Sequence, residues 1–208
     1  MTASPQIEPP FDWIALSREL KAIAEAGLRY SEGPYDRERY QRLHELSSLP
    51  MKAVAPDFRW PCEFGYATPK VDVRAAVLDG NGHVLLVQEA GSGLWTLPGG
   101  WADLNASPSQ NVAREVREEA GIEVEVLKLI ACWDKDLQGH PRQPEHVYKL
   151  VFLCRPVGGS LVTSHEISGS GYFAPDALPP LCPHRAASHY LALALSHAAD
   201  PSLPTAFD

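Results

Sequence analysis

The sequence predicts an α/β protein in which a small helical segment, residues 1–62, precedes a larger strand-and-helix domain, residues 63–208. Three observations carry this expectation. Apolar residues recur at helical spacing before residue 50, the period changes to two from Val71, and a helix with signals at both ends lies among predicted strands. At 208 residues the chain amounts to one domain of about 150 residues plus an extra segment.

Asp12 to Ala26 carries Trp13, Leu16, Leu20, Ile23 and Ala24 on one helical face, and Gly27 can stop that helix. Ser31-Glu-Gly-Pro reads as a turn. Asp36 can cap a second helix bearing Tyr40, Leu43 and Leu46, which ends near Ser47-Ser48-Leu49-Pro50. Chains shorter than about 40 residues seldom fold unaided, so the two helices should pack on the main domain or on a partner subunit. Pro56, Pro61 and Pro69 make residues 52–70 an extended connection.

Val71, Val73, Ala75 and Val77 then share one strand face, and Asp79-Gly80-Asn81-Gly82 supplies a turn before His83 to Gln88, which predicts a hairpin. Gly91-Ser92-Gly93 leads into a short third strand, Leu94 to Leu97, which runs into Pro98-Gly99-Gly100. Ser107, Pro108 and Gln110 occupy the N-cap, N1 and N3 positions of a capping box, and Gly121 sits where a glycine ends a helix, so a helix spans Pro108 to Ala120. Val124 to Cys132 and Val147 to Cys154 read as strands, and His184 to Ala199 as a closing amphipathic helix. There is no internal repeat.

Eighteen Lys and Arg against 26 Asp and Glu give a net charge of −8, which opposes attraction to nucleic acid or to an anionic membrane. Neither a membrane partner nor a stable nucleic-acid complex is expected. With 45% hydrophobic residues the chain is an ordinary globular protein rather than a disordered one. No apolar run approaches the roughly 18 residues of a membrane span, and the opening residues lack a signal-peptide pattern, so a cytoplasmic protein is expected. Cys62, Cys132, Cys154 and Cys182 have no zinc-type spacing and read as small buried or half-buried thiols. The histidines lack zinc spacing too, no Gly-x-Ser-x-Gly elbow appears, and Gly91-Ser-Gly is too short for a dinucleotide fingerprint.

The capped helix carries the chemistry. Glu115 and Glu119 are four apart, with Glu118 between them, so three carboxylates project from one flank while Val112, Val116 and Ala120 line another. Arg114 lies beside them, and Gly99-Gly100 allows backbone to approach a ligand closely. This order resembles the Nudix box, G-x5-E-x7-R-E-U-x-E-E-x-G-U with U apolar: Gly100 starts it, Arg114-Glu115-Val116-Arg117-Glu118-Glu119 is its heart, and Ala120-Gly121-Ile122 closes it. One position departs, because the first glutamate of the box falls at Ala106. In the family that glutamate mainly ties the loop to the helix; here Arg114 can pair with Glu118 or with Asp103 instead.

The resemblance extends along most of the chain. Tyr30-Ser-Glu-Gly-Pro-Tyr-Asp-Arg, Phe64-Gly-Tyr-Ala-Thr-Pro-Lys-Val-Asp-Val-Arg, Gly99-Gly100-Trp101-Ala102-Asp103 and His146-Val-Tyr-Lys are similar to the branch of CDP-choline and ADP-ribose pyrophosphatases with an N-terminal helical segment. Members of that branch commonly lack the first box glutamate, and they are typically homodimers. The resemblance implies a Nudix α/β/α sandwich with a mixed sheet. It also implies hydrolysis of a nucleoside diphosphate linked to X, giving a nucleoside monophosphate and phosphorylated X.

Three carboxylates and a diphosphate of about two charges sum to about minus five, which requires divalent cations. Oxygen ligands favour Mg2+ or Mn2+, and such ions bridge phosphate oxygens and lower the pKa of bound water. By resemblance Glu115 and Glu119 are the main metal ligands, Glu118 supports them, and the Gly99 carbonyl is a further ligand. The general base comes from the helix or from a later loop, which makes Glu115, Glu118 and Glu166 catalytic candidates together with Arg114.

Between Asp134 and Lys149, the donors His140, Arg142, Gln143, His146 and Lys149 are interspersed with Gly139, Pro141 and Pro144, as suits a nucleotide-binding loop. Trp101, Tyr148 and Trp133 could stack on a base or a cationic head group, and Asp103 completes the substrate candidates. Two other functions stand beside hydrolysis of a linked diphosphate. Ala106 motivates a nucleotide-sensing module weakened in turnover, and processing of RNA ends or nucleotide caps is the third, disfavoured by the charge. The N-terminal helices carry no acids, histidines or cysteines clustered for chemistry, so a dimerising role is expected of them, with packing in cis as the alternative.

Overall fold

A computed structural model describes residues 12–53, 55–61, 65–185 and 188–208. The tail before Asp12, the expected boundary between residues 62 and 63, Cys62, Phe64 and alanines 186 and 187 of the expected closing helix lie outside the described residues. The chain divides into two compact units, one running to Thr68 and including Arg142–Glu145, the other formed by Pro69–Pro141 and His146–Asp208.

The first unit holds α1 (Trp13–Tyr30), α2 (Pro34–Ser47) and the single turn α3 (Leu49–Lys52). Asp12 caps α1 by accepting the Ala15 N–H at 2.9 Å. Gly27 does not stop this helix, as its sequence position had suggested. A Cβ there would lie 2.2 Å from the Tyr40 ring, so the glycine lets α2 approach α1 while the helix continues three residues further. The N-cap of α2 is Gly33 followed by Pro34, and Asp36 sits inside the first turn rather than capping it. Lys21 and Glu25 form a buried pair at 2.8 Å, with the Lys21 ammonium 5.5 Å from the centre of the Trp60 ring.

The second unit is built on two sheets. β1 (Lys70–Val77), β5 (Val147–Gly159), β4 (Ile122–Asp134) and β7 (Ala206–Phe207) form a mixed sheet in the order β1-β5-β4-β7. β1 runs parallel to β5 and β4 antiparallel to it. The smaller antiparallel sheet has the order β3-β2-β6, from Trp95–Thr96, Val84–Glu89 and Ile167–Phe173. Helix α4 (Pro108–Ala120) covers one side with Val112, Val116 and Ala120 against Val73, Ala75, Val77, Leu85 and Val87. Helix α5 (Ser188–Ala199) covers the other with Tyr190, Leu191 and Ala194 against Ala76, Val84, Leu86 and Trp133. The unit is thus an α/β/α arrangement with a mixed sheet, as expected, and alternation along β1 and β2 feeds both cores.

The predicted hairpin is corrected. The turn does form, with Asp79 N–H donating to His83 O at 3.0 Å, but only Leu78 and Val84 bridge before β1 and β2 diverge into separate sheets. β6, absent from the sequence expectation, is Ile-Ser-Gly-Ser-Gly-Tyr-Phe, in which two glycines and two serines mask the period. Among the described residues no helix is long and apolar enough to cross a membrane. Cys132, Cys154 and Cys182 are free thiols, and burial pushes Cys154 up to about 12.

Candidate functional site

Helix α4 is fixed at both ends by its own sequence. The Ser107 hydroxyl accepts the Gln110 N–H at 3.2 Å and the Gln110 side chain accepts the Ser107 N–H at 2.8 Å. At the other end Gly121 has φ of +73°, and a Cβ there would meet the Ser160 carbonyl at 2.4 Å, so only glycine ends the helix in this way. Between these ends the buried flank of Val112 and Val116 sets the rotation, which turns Glu115 and Glu119 toward the loop that follows β3.

That loop runs along the edge of β1. Val73 N–H donates to Gly100 O and Ala75 N–H to Pro98 O, each at 2.9 Å, while Arg74 Nη1 donates to Leu97 O at 3.1 Å. Among the described residues the Gly99 carbonyl receives no such donor, which leaves it as the loop oxygen open to a ligand. Gly99 has φ of +140°, and a Cβ there would stand 2.0 Å from Val73 O. Its N–H donates to Glu119 Oε2 at 2.8 Å, and Gly100 packs so closely on Glu115 that a Cβ would lie 3.1 Å from Oε2. The two glutamates therefore converge on the two glycines.

The electrostatics follow from partial burial. Burial raises the pKa of Glu119 to about 7, although the Gly99 N–H and the Arg74 guanidinium favour its charged form. Burial also raises Glu115, opposed by Arg114. Arg114 donates to Glu118 and to Glu115 at 2.8 Å each and lies 3.0 Å from Asp103, so it links helix to loop without a residue-106 carboxylate. Behind the loop, Arg74 Nε bonds Asp72 Oδ1 at 2.9 Å and Lys149 Nζ bonds Asp72 Oδ2 at 2.6 Å. Burial would raise Asp72, but Arg74 and Lys149 hold it below its ordinary value. Lys149 is lowered to about 8, mainly by burial and then by Arg74.

The structure therefore brings Glu115, Glu118, Glu119, Arg114, Asp103 and Gly99 together. Glu166 is 73% exposed, with His165 Nε2 at 3.3 Å. Trp101 and Tyr148 are half exposed, whereas Trp133 is buried in the core beneath α5. His146 bonds Asp134 at 2.8 Å and packs edge-on against Tyr148.

Two substrate expectations are corrected. Both ring nitrogens of His140 are committed, to Pro183 O at 2.7 Å and to the Tyr190 hydroxyl at 2.5 Å, and burial lowers its pKa to about 4. Lys149 is 0% exposed and held by Asp72, so its ammonium does not face a ligand. The donor-rich loop is divided as well, since Arg142 pairs with Asp12 at 2.6 Å and the carbonyls of Pro144 and Glu145 receive Arg18, all within the first unit.

Sequence reasoning missed Asn111, Asp72 and Arg74. Asn111 accepts the Asp103 N–H at 2.9 Å and donates to the carbonyls of Asp103 and Ala106, which stitches the box loop to α4. Its signal was a polar side chain next to Val112 on the buried flank. The signal for Asp72 and Arg74 was a pair of opposite charges alternating with valines in a strand that is buried on both faces. Among the described residues no three His, Cys, Asp or Glu side chains are already gathered into a metal cage.

Residues 68–193 match the NUDIX domain family, and residues 11–55 match the UDP-X-like, N-terminal oligomerisation domain family. The chain is 39% identical over 203 residues to YjhB of Bacillus subtilis (strain 168), covering 94% of this chain and 97% of that one; the name of that relative carries a provisional ADP-ribose pyrophosphatase assignment. It is similar to a crystal structure of an ADP-ribose pyrophosphatase from Streptococcus suis 89-1591, with 42% identity, a TM-score of 0.62, and 68% of this chain and 100% of that one covered. A crystal structure of a UDP-X diphosphatase matches with 30% identity and a TM-score of 0.62 over 95% of this chain and 98% of that one.

Proposed function

The chain belongs to the Nudix family and is a Nudix pyrophosphatase, and from that premise we propose that it splits the phosphoanhydride of a nucleoside diphosphate linked to X, releasing a nucleoside monophosphate and phosphorylated X. The observation that carries this reading is the convergence of Glu115 and Glu119 on Gly99 and Gly100. The names of the relatives, ADP-ribose pyrophosphatase and UDP-X diphosphatase, support the linked-diphosphate class.

Nudix hydrolases generally use divalent cations, and the donors fit one. Two partly buried carboxylates that burial disfavours as free anions lie beside a carbonyl that has no donor among the described residues, and all are hard oxygens. Glu115, Glu119 and the Gly99 carbonyl would hold Mg2+ or Mn2+, with Glu118 in support. Such an ion supplies neutralisation of the diphosphate charge and a lowered pKa for water. The remaining work falls to the chain. Arg114 keeps Glu115 and Glu118 from repelling one another out of position, and Asn111 holds the loop on which Asp103 and Trp101 sit. The attacking water gives its proton to a carboxylate, and Glu118, held by Arg114 beside Glu115 on α4, is the candidate carried by the helix, with Glu166 on the later loop as the alternative. Trp101 and Tyr148, both half exposed, are the candidates to stack on the base or on X. The N-terminal unit makes the homodimer.

The test is product identity. Incubation with ADP-ribose, CDP-choline and UDP-linked sugars in the presence of Mg2+ or Mn2+ should release AMP, CMP or UMP with phosphorylated X. Release of inorganic phosphate alone, or no product from any of them, would overturn the reading.

The second reading, a sensing module weakened by Ala106, makes a different prediction. Because Arg114 already binds Asp103, Glu115 and Glu118, Ala106→Glu adds a carboxylate at a half-buried position with its basic partner already engaged and should change the rate by less than about fivefold. A large gain in turnover would favour the weakened module.

A further inference from the structure

We propose that Arg74, fixed from behind by Asp72 and Lys149, is a positioning residue that sets the Leu97–Gly100 loop and, through it, aims Glu119. A hydrogen-bonded chain crosses the unit to do this. Lys149 on β5 donates to Asp72 on β1 at 2.6 Å, Asp72 accepts from Arg74 Nε at 2.9 Å, Arg74 Nη1 donates to Leu97 O at 3.1 Å, and two residues on Gly99 N–H donates to Glu119 at 2.8 Å.

Stability alone does not account for this triad. Asp72, Arg74 and Lys149 are all buried, and a buried ionic group contributes little net stability compared with apolar side chains of similar volume. Its value lies in direction. The β1 backbone bonds Pro98 O and Gly100 O, whereas Leu97 O, two residues before Gly99, takes its donor from the Arg74 side chain. The planar guanidinium offers several donors in a fixed fork, so it can bond Asp72 and Leu97 together, which a single ammonium cannot do at both points. Arg74 on Leu97 O and Ala75 N–H on Pro98 O hold the two consecutive peptides that lead into Gly99, so the Gly99 N–H is set toward Glu119 before any ion arrives. The proposal rests on the reading of Glu119 and the Gly99 carbonyl as an ion site.

Backbone amide exchange of the metal-free, substrate-free full chain tests it, in Arg74→Lys and in Lys149→Met. Losing one directing hydrogen bond should speed exchange at Gly99 at least about tenfold, while the Val112 and Val116 amides of α4 keep their protection. Affinity for Mn2+ alone, measured by titration, should fall by a similar factor of about ten, and kcat should fall with KM nearly unchanged. Unchanged exchange at Gly99 in both variants would overturn the proposal. Uniform acceleration at Gly99, Val112 and Val116, or loss of folding in both variants, would assign the triad to stability and overturn it equally. Because exchange is read without substrate, a wrong substrate class leaves this result intact and shows instead as absent turnover with a normally protected Gly99.

Discussion

At the scale of single residues, the site side chains were the most legible part of the sequence, because their spacing is a property of one helix. Donors in the loop before β5 and at its start were not. His140 and Lys149 looked like ligand contacts among Gly139, Pro141 and Pro144, yet their partners lie 50 and 77 positions away in Tyr190 and Asp72. Local sequence contains no sign of such distant commitments. His140 gives a testable pH dependence. Burial depresses its folded-state pKa from 6.5 to about 4, so its contribution to stability is fully present above pH 6.5 and is lost as pH falls toward 4. The loss should approach about 3 kcal/mol. Thermal melts from pH 7.5 to 4 should show His140→Gln declining less steeply than the natural chain; parallel curves would contradict the buried neutral imidazole.

At the scale of elements, α4 was read to the residue because capping box, N1 proline and terminal glycine are local signals that all agree. Strand pairing was not, since a good turn at Asp79–Gly82 does not reveal that β1 prefers β5 and β2 prefers β6. That choice is made by the two cores, through contacts remote in sequence. Gly27 failed for the same reason, its need being set by Tyr40 on another helix. The packed flank of α4 predicts that Val116→Asp, which puts a carboxylate into the apolar cluster that includes Val73, Val87 and Phe152, abolishes cooperative unfolding or folding itself. Circular dichroism with a thermal scan checks it, and a melting temperature within a few degrees of the natural chain would contradict the orientation assigned to the helix.

At the scale of the whole molecule, both large apolar clusters lie within the second unit, while the first exposes Ile23, Tyr30, Tyr35 and Leu49. These residues lie on a segment that matches an oligomerisation domain family, which is what the proposed homodimer draws on. Light scattering should give about twice 22.8 kDa for the full chain and a monomer for a chain starting at Gly65. Two monomers, or two dimers, would remove that role from the helices. The central claim, metal-dependent hydrolysis carried by Glu119, is tested most directly by comparing the natural chain with Glu119→Gln on ADP-ribose and CDP-choline, each with Mn2+ and with EDTA. The account predicts nucleoside monophosphate release that EDTA abolishes and that Glu119→Gln lowers by at least about a hundredfold. It also predicts that in EDTA at pH 8 the variant is no less stable, since Glu119 favours folding below pH 4.5 and that contribution is lost as pH rises through about 7. Turnover that persists in EDTA, or near-normal rates in a folded Glu119→Gln variant, would contradict the account.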